Sequence, residues 1–166
     1  MPLELVVPDF AWKVALTWSK ALPYDEVLKG CEQDLRAWFY LVLKQEGKGP
    51  ARPHYIGKVT KACVSVRLNN ADHRRNHAAD LRKYPAAKFL VSVAEVKVTS
   101  GKRSAQLIDH VETLLIMTAY HRDPKFPMRN KRKWFSHSIS KSYVVTNEGL
   151  PKALPKEITL GICVRN

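Results

Sequence analysis

Two apolar runs, each carrying a tyrosine and separated by a loop with Gly47, Gly49 and Pro50, constrain this chain more than any other feature. The first is Trp38 to Leu43 (WFYLVL) and the second is His54 to Val59 (HYIGKV). Short runs rich in aromatic and β-branched residues, bounded by glycine and proline, predict the two strands of a hairpin. Side chains alternate along a strand, so Tyr40 shares a face with Trp38 and Val42, while Tyr55 shares one with Gly57 and Val59. The register decides whether the two phenols meet. Gly57, which has no Cβ, leaves room there for a backbone or a ligand. A tyrosine in a strand is most often a half-buried packing residue, so the tripeptide Tyr55-Ile56-Gly57 alone says little about function.

The flanking segments predict helices before the hairpin and a mixture after it. Apolar residues at Phe10, Ala11, Val14, Ala15 and Trp18 have helical spacing over Phe10 to Lys20, with Asp9 as N-cap. A second helix is expected from Tyr24 to Ala37, headed by Pro23 and carrying Val27, Leu28, Cys31 and Leu35 on one face, with Gly30 weakening its interior. Residues 1–37 thus read as a helical extension that either covers the sheet or serves an oligomer contact. From Cys63 the chain is ambiguous, because Val64 and Val66 favour a strand and Asn69-Asn70 a turn or cap. His73 to Lys83 reads as a helix ended by Pro85. Phe89 to Val98 alternates as a third strand, and TSGKRS leads into a strong helix from Ser104 to His121. SYVVTN and EITLGICV read as two further short strands.

At 166 residues one domain is expected, with a core at 38–130 and a basic, β-containing extension at 131–166. The 28 Lys and Arg against 15 Asp and Glu give a formal charge of +13, which favours a polyanionic partner. Nucleic acid leads, ahead of an anionic membrane surface or plain basic solubility. Much of the charge lies between Arg122 and Lys141, where Phe126, Trp134 and Phe135 are interleaved with basic residues. Cations neutralise phosphates and aromatics stack on bases, although a solvated basic loop pinned by Trp134 fits the same pattern. Cys31, Cys63 and Cys163 are odd in number and contain no CxxC, so neither a disulfide framework nor a zinc site is expected, and a reducing cytoplasm fits. The start MPLELVVPDF lacks a signal peptide's basic head, and the apolar stretches fall short of a membrane span.

The helix from Ser104 to His121 carries Ile108, Val111, Leu115 and Ala119 as its core stripe. Glu112 lies four residues from Ile108 and Ile116 and three from Leu115. A carboxylate so bordered is costly to desolvate unless it is paired or binds a metal. Two readings stand: a glutamate at the stripe's edge that reaches water or an arginine, or a ligand.

The ordered set resembles the GIY-YIG nuclease superfamily: Trp38-Phe39-Tyr40, then Tyr55-Ile56-Gly57, Arg67, Glu112 in a long helix after a third strand, and Asn130 behind a proline-containing loop. The similarity covers about Trp38 to Asn130. It implies an α+β fold with a small three-stranded antiparallel sheet flanked by helices, and one divalent cation, Mg2+ or Mn2+, held by Glu112. Tyr40 and Tyr55 would line the active centre, Arg67 would contact the scissile phosphate, and Asn130 would hold the site together. His73 resembles a histidine found after the arginine in some restriction enzymes, although a solvent-exposed helical histidine is its commoner reading. Two departures are visible. The first motif lacks its glycine and isoleucine, and the step from Gly57 to Arg67 is long, which leaves Arg74 as a rival.

The function so implied is a metal-dependent DNA endonuclease hydrolysing phosphodiester bonds, of restriction or phage-related type. Lys58, Arg74, Arg75, Arg129, Lys131, Arg132 and Lys133 would contact double-stranded DNA, since the remaining residues leave no room for a separate DNA-binding domain. Cutting both strands with one small site implies a homodimer. Proton removal from water would fall to Tyr55 first, with Tyr40, Lys58 and His73 as alternatives, because a phenolate becomes accessible beside cations. A catalytically silent nucleic-acid-binding module on the same fold is the alternative, and a basic protein-interaction domain is a third reading.

Overall fold

The computed structural model describes residues 5–6, 11–30, 38–125, 128–131, 134–135, 139–149, 153–160 and 162–163. In chain order the elements are β1 Leu5–Val6, β2 Trp12–Trp18, β3 Leu22–Pro23, α1 Tyr24–Lys29, β4 Trp38–Glu46, β5 Arg52–Val59, α2 Val64–Asn69, α3 Ala71–Lys83, β6 Ala87–Ser100, α4 Ala105–Arg122, β7 Tyr143–Glu148, β8 Glu157–Leu160 and β9 Ile162–Cys163. Seven strands form one sheet in the order β5-β4-β6-β2-β7-β8, with β3 also on β6. The β2–β7 pair is parallel and the other pairs are antiparallel. Strands β1 and β9 pair separately.

The mixed α and β class expected from the sequence holds, but the three-stranded sheet is too small. The expected antiparallel trio is present as β5-β4-β6. It is extended because β6 runs for 14 residues, and its later part pairs with β2 on the side away from β4.

The largest correction concerns Phe10 to Lys20. Its described part holds strand β2, so this stretch is not the expected helix and belongs to the main sheet, while the extension keeps a helix in α1. Val14, Leu16 and Trp18 are buried while Lys13 and Thr17 are exposed, the period of two of a strand. Val14 and Trp18 also satisfy a helical i, i+4 spacing, so periodicity alone could not decide. What decides is that β6 and β7 flank β2 and satisfy its backbone on both sides. The second expected helix shrinks to six residues and stops at Gly30, whose backbone is extended. Its remainder, with Cys31 and Leu35, lies outside the described residues.

Asn70 is non-helical and serves as C-cap of α2 and N-cap of α3, which resolves the ambiguous stretch after Cys63 into two helices with the expected break. Ser104 caps α4 by accepting a hydrogen bond from the Leu107 N–H at 3.1 Å. The predicted stripe Ile108, Val111, Leu115 and Ala119 is buried throughout. It packs on the sheet face that carries Leu16, Phe39, Leu41 and Ile56. The opposite face presents Tyr40, Val42, Val59 and Val91 to Tyr24 of α1 and to Val64 and Leu68 of α2. Burying each large apolar side chain contributes about 1.5 to 3 kcal/mol, so the β5-β4-β6 end of the sheet is anchored from both sides.

Cys63 is disulfide-bonded, a link that the odd number and wide spacing of the cysteines did not signal. Among the described residues, no helix is long and apolar enough to cross a membrane.

Candidate active site

The hairpin register pairs Tyr40 with Gly57 and Val42 with Tyr55. Residues directly opposite point to the same face, so the two phenols are diagonal neighbours on the α2–α3 side, with ring centroids 6.0 Å apart. Tyr40 is fully buried and lies across β5 at Gly57. A Cβ on Gly57 would stand 2.8 Å from Tyr40 Cε1 and closer still to Cζ and Oη. The approach that Gly57 permits is therefore that of a phenol from the neighbouring strand.

Helix α3 adds His73. This histidine is buried, which corrects the reading of a solvent-exposed side chain, and its Nε2 is 3.4 Å from the Tyr40 hydroxyl. Burial, reinforced by the charges of Arg67 and Arg129, lowers its pKa to about 4, so the imidazole is neutral at neutral pH. Burial and the neighbouring Tyr55 push the Tyr40 hydroxyl well above the usual phenol range, with Arg67 offsetting them in part. Tyr40 is thus held protonated. Arg67, exposed on α2, is the arginine whose charge bears on both groups. Its rival Arg74 is exposed on α3, and Arg75 beside it forms an exposed ion pair with Asp72.

On the other face of β5, Lys58 points with Ile56 toward α4. Its ammonium donates to Asp109 Oδ1 at 2.6 Å and lies 3.1 Å from Glu112 Oε2. The partner that Glu112 required is therefore a lysine from the strand. Partial burial lowers the Lys58 pKa, but the two carboxylates outweigh it and leave the group above its ordinary value. A lysine so held is charged at neutral pH and cannot take a proton from water, which removes it from the candidate bases.

Asp109 was not among the sequence candidates. Its signal was the i, i+3 spacing to Glu112, which puts both carboxylates on one side of α4. Among the described residues, no group of three His, Cys, Asp or Glu side chains is arranged to hold a metal ion. Two hard carboxylate donors one helical turn apart do suit Mg2+ or Mn2+, provided waters and phosphate oxygens complete the shell. A cation there would compete with the Lys58 ammonium.

Strand β5 ends the sheet order, and Asn130 covers its edge. The buried Asn130 amide donates to Ile56 O at 2.8 Å and accepts from Ile56 N–H at 2.9 Å. The Arg129 N–H donates to His54 O at 2.7 Å. Asn130 thus closes two backbone groups that an edge strand would otherwise leave open. Arg129 is not the free surface cation expected, because its guanidinium pairs with Asp80 at 2.6 Å and lies 4.6 Å over the Tyr55 ring. Lys131 is exposed, whereas Arg132 and Lys133 lie outside the described residues.

Comparison with family models, with curated protein sequences and with solved structures found no match for this chain.

Proposed function

We propose that this chain is a metal-dependent endonuclease that hydrolyses phosphodiester bonds in double-stranded DNA, with a GIY-YIG-type site built around strand β5. One observation carries the reading. A single edge strand holds two phenols, a neutral histidine and an arginine against one face, and a lysine bridged to two carboxylates against the other. This arrangement is costly for a purely structural strand and serves no packing need that leucine and valine would not meet more cheaply.

In this reading the scissile phosphate lies at the Lys58 end of β5, beyond the backbone groups of His54 and Ile56 that Arg129 and Asn130 close. Arg67 neutralises charge on its oxygens, and electrostatic stabilisation of this kind is the main requirement of phosphodiester hydrolysis. Tyr55, half-buried and on the same face, is assigned the proton of the attacking water, because Tyr40 is held protonated and Lys58 is charged. Tyr40 and His73 orient that hydroxyl. Asp109 and Glu112 would hold Mg2+ or Mn2+, which when bound supplies Lewis-acid stabilisation of the phosphate. As the water oxygen bonds to phosphorus, the bond to the leaving oxygen breaks, and that oxygen takes a proton from solvent or from Lys58. Cleavage of both strands, as in restriction or phage-related enzymes, would bring two copies together.

A second reading has its own support. The Lys58 ammonium already pairs with both carboxylates and takes the place a metal ion would fill, which favours a catalytically silent nucleic-acid-binding module. Incubating the protein with supercoiled plasmid, with magnesium and with chelator, separates the two. Magnesium-dependent nicked or linear product supports the nuclease, and discrete fragments would show sequence preference. Salt-sensitive DNA binding with no cleavage under either condition supports the silent module.

A further inference from the structure

The stripe by which α4 packs on the sheet runs through Ile108, Val111 and Leu115 and then ends on Ala119, a methyl where the earlier positions carry branched chains. Two helical turns, about 10 Å, separate Ala119 from Glu112, so this end of the helix lies away from the Lys58 cluster. The residues that face the gap from other elements are short as well: Ala21 after β2, Ala51 before β5 and Ala153 before β8. Leu43 of β4 and Leu90 of β6 complete the apolar lining with Pro50 and Pro53. Protein interiors leave few voids larger than a water molecule. Here the short side chains leave a cavity of about 760 Å³ that opens to solvent. Ligand cavities run from about 300 to 1,000 Å³ and are mostly apolar with a few polar groups.

The charged groups of the cavity are not balanced. Lys20, Arg52 and Arg122 line it, with Asp123 as the single carboxylate among the described lining residues. Arg52 Nη1 donates to Asp123 Oδ2 at 2.5 Å, which ties the start of β5 to the residue after α4 and sets one cation against that carboxylate. Lys44 and Glu46 line a smaller cavity that shares Pro50 and Arg52, and they pair with each other at 2.9 Å, so they add no net charge. Lys20 and Arg122 are both exposed and form no ion pair among the described residues, which leaves two cations at the rim of an apolar hollow. None of the described lining residues is aromatic, so the walls offer no stacking platform for a base and suit an aliphatic chain.

We propose that this cavity binds a free aliphatic carboxylate, its chain against the alanine walls and its head at the rim that carries Lys20 and Arg122. The site is separate from the β5 cluster, and its occupancy needs neither DNA nor a metal ion.

The test is titration of the full chain with hexanoate, octanoate and decanoate below their micellar concentrations at constant ionic strength, following alanine methyl signals by NMR. Saturable shifts of Ala51 and Ala119 are expected, with affinity rising by up to about fourfold for each added methylene. Arg122→Gln should weaken decanoate binding roughly three- to fivefold and leave the neutral decan-1-ol unchanged, because only the head group meets the lost charge. Lys97→Gln serves as the charge control, since Val96 belongs to the α4 face and Lys97, exposed on the same strand, points to the other. It should leave both ligands unchanged.

Ala51→Leu places three more carbons in the cavity and should weaken decanoate and decan-1-ol together by about tenfold or more. If that variant fails to fold, Ala21→Leu fills the same space from another element. Undiminished binding in whichever filled variant folds would put the chain elsewhere and overturn the proposal. Equal losses from Arg122→Gln and Lys97→Gln would reduce the head-group effect to net charge and overturn it too. Binding to phosphatidylglycerol vesicles with none to decanoate would assign the cavity to a bilayer lipid and overturn the free ligand.

Discussion

Gly57→Ala is the smallest change that should disable the phenol face. The added methyl carbon would meet two ring carbons and the hydroxyl oxygen of Tyr40 at 2.8 Å or less, whereas an ordinary carbon contact needs about 3.5 Å or more. Tyr40 cannot simply rotate away, since it is fully buried among Val42, Val59, Val64 and Leu68. Overpacking of this kind costs about 1 to 3 kcal/mol. For a chain of this length that corresponds to a melting temperature lower by roughly 2 to 12 °C. The shift is measurable by circular dichroism. Tyr40→Leu in the same chain should relieve the clash, so the double variant should be more stable than the sum of the two single effects predicts. An unchanged melting temperature in Gly57→Ala, or strict additivity in the double variant, would refute the placement of the Tyr40 ring over Gly57.

Three further outcomes are expected. Tyr55→Phe should lower turnover by about two orders of magnitude at preserved folding, and Tyr40→Phe should cost less; the reverse ranking in single-turnover cleavage would move the base to Tyr40. His73 has a folded pKa of about 4 and an unfolded one near 6.5, so the unfolded chain binds the extra proton between these values. Stability is therefore full above about pH 6.5 and declines as pH falls toward 4, by up to roughly 3 kcal/mol, with depressed His54 and His77 acting in the same direction. Urea denaturation at the two ends of that window should show His73→Phe losing less stability on acidification than wild type. DNA affinity should fall with added salt with a logarithmic slope of about −0.9 per phosphate contacted, and charge reversal at Arg132 and Lys133 should flatten it if the basic run is a contact surface.

The hairpin, β6 and α4 were legible because each carries one clear period: alternation in the strands, and a stripe at three and four residue spacing in the helix. Strand β2 was not legible, since Val14 and Trp18 fit both periods and only the flanking β6 and β7 choose between them. For the same reason the sheet was read too small, because pairing with β2 depends on the far end of β6. In the site, Tyr40, Tyr55, Gly57, Glu112 and Asn130 could be named from their order along the chain. The pairs that govern its charge could not. Lys58 meets Asp109 across 51 residues and Arg129 meets Asp80 across 49, and no local pattern links such positions. His73 was read as exposed because α3 is polar along most of its length, and its burial follows from packing under the two phenols.

The most direct test of the nuclease account is Glu112→Gln, assayed for plasmid nicking in magnesium and for thermal stability on the same preparation. Lys58 keeps Asp109 as a partner in this variant, so its ammonium is not stranded, and the stability cost should stay within about 1 kcal/mol. The account predicts that nicking disappears while the melting temperature and DNA affinity are retained. Nicking at the wild-type rate by Glu112→Gln would contradict it.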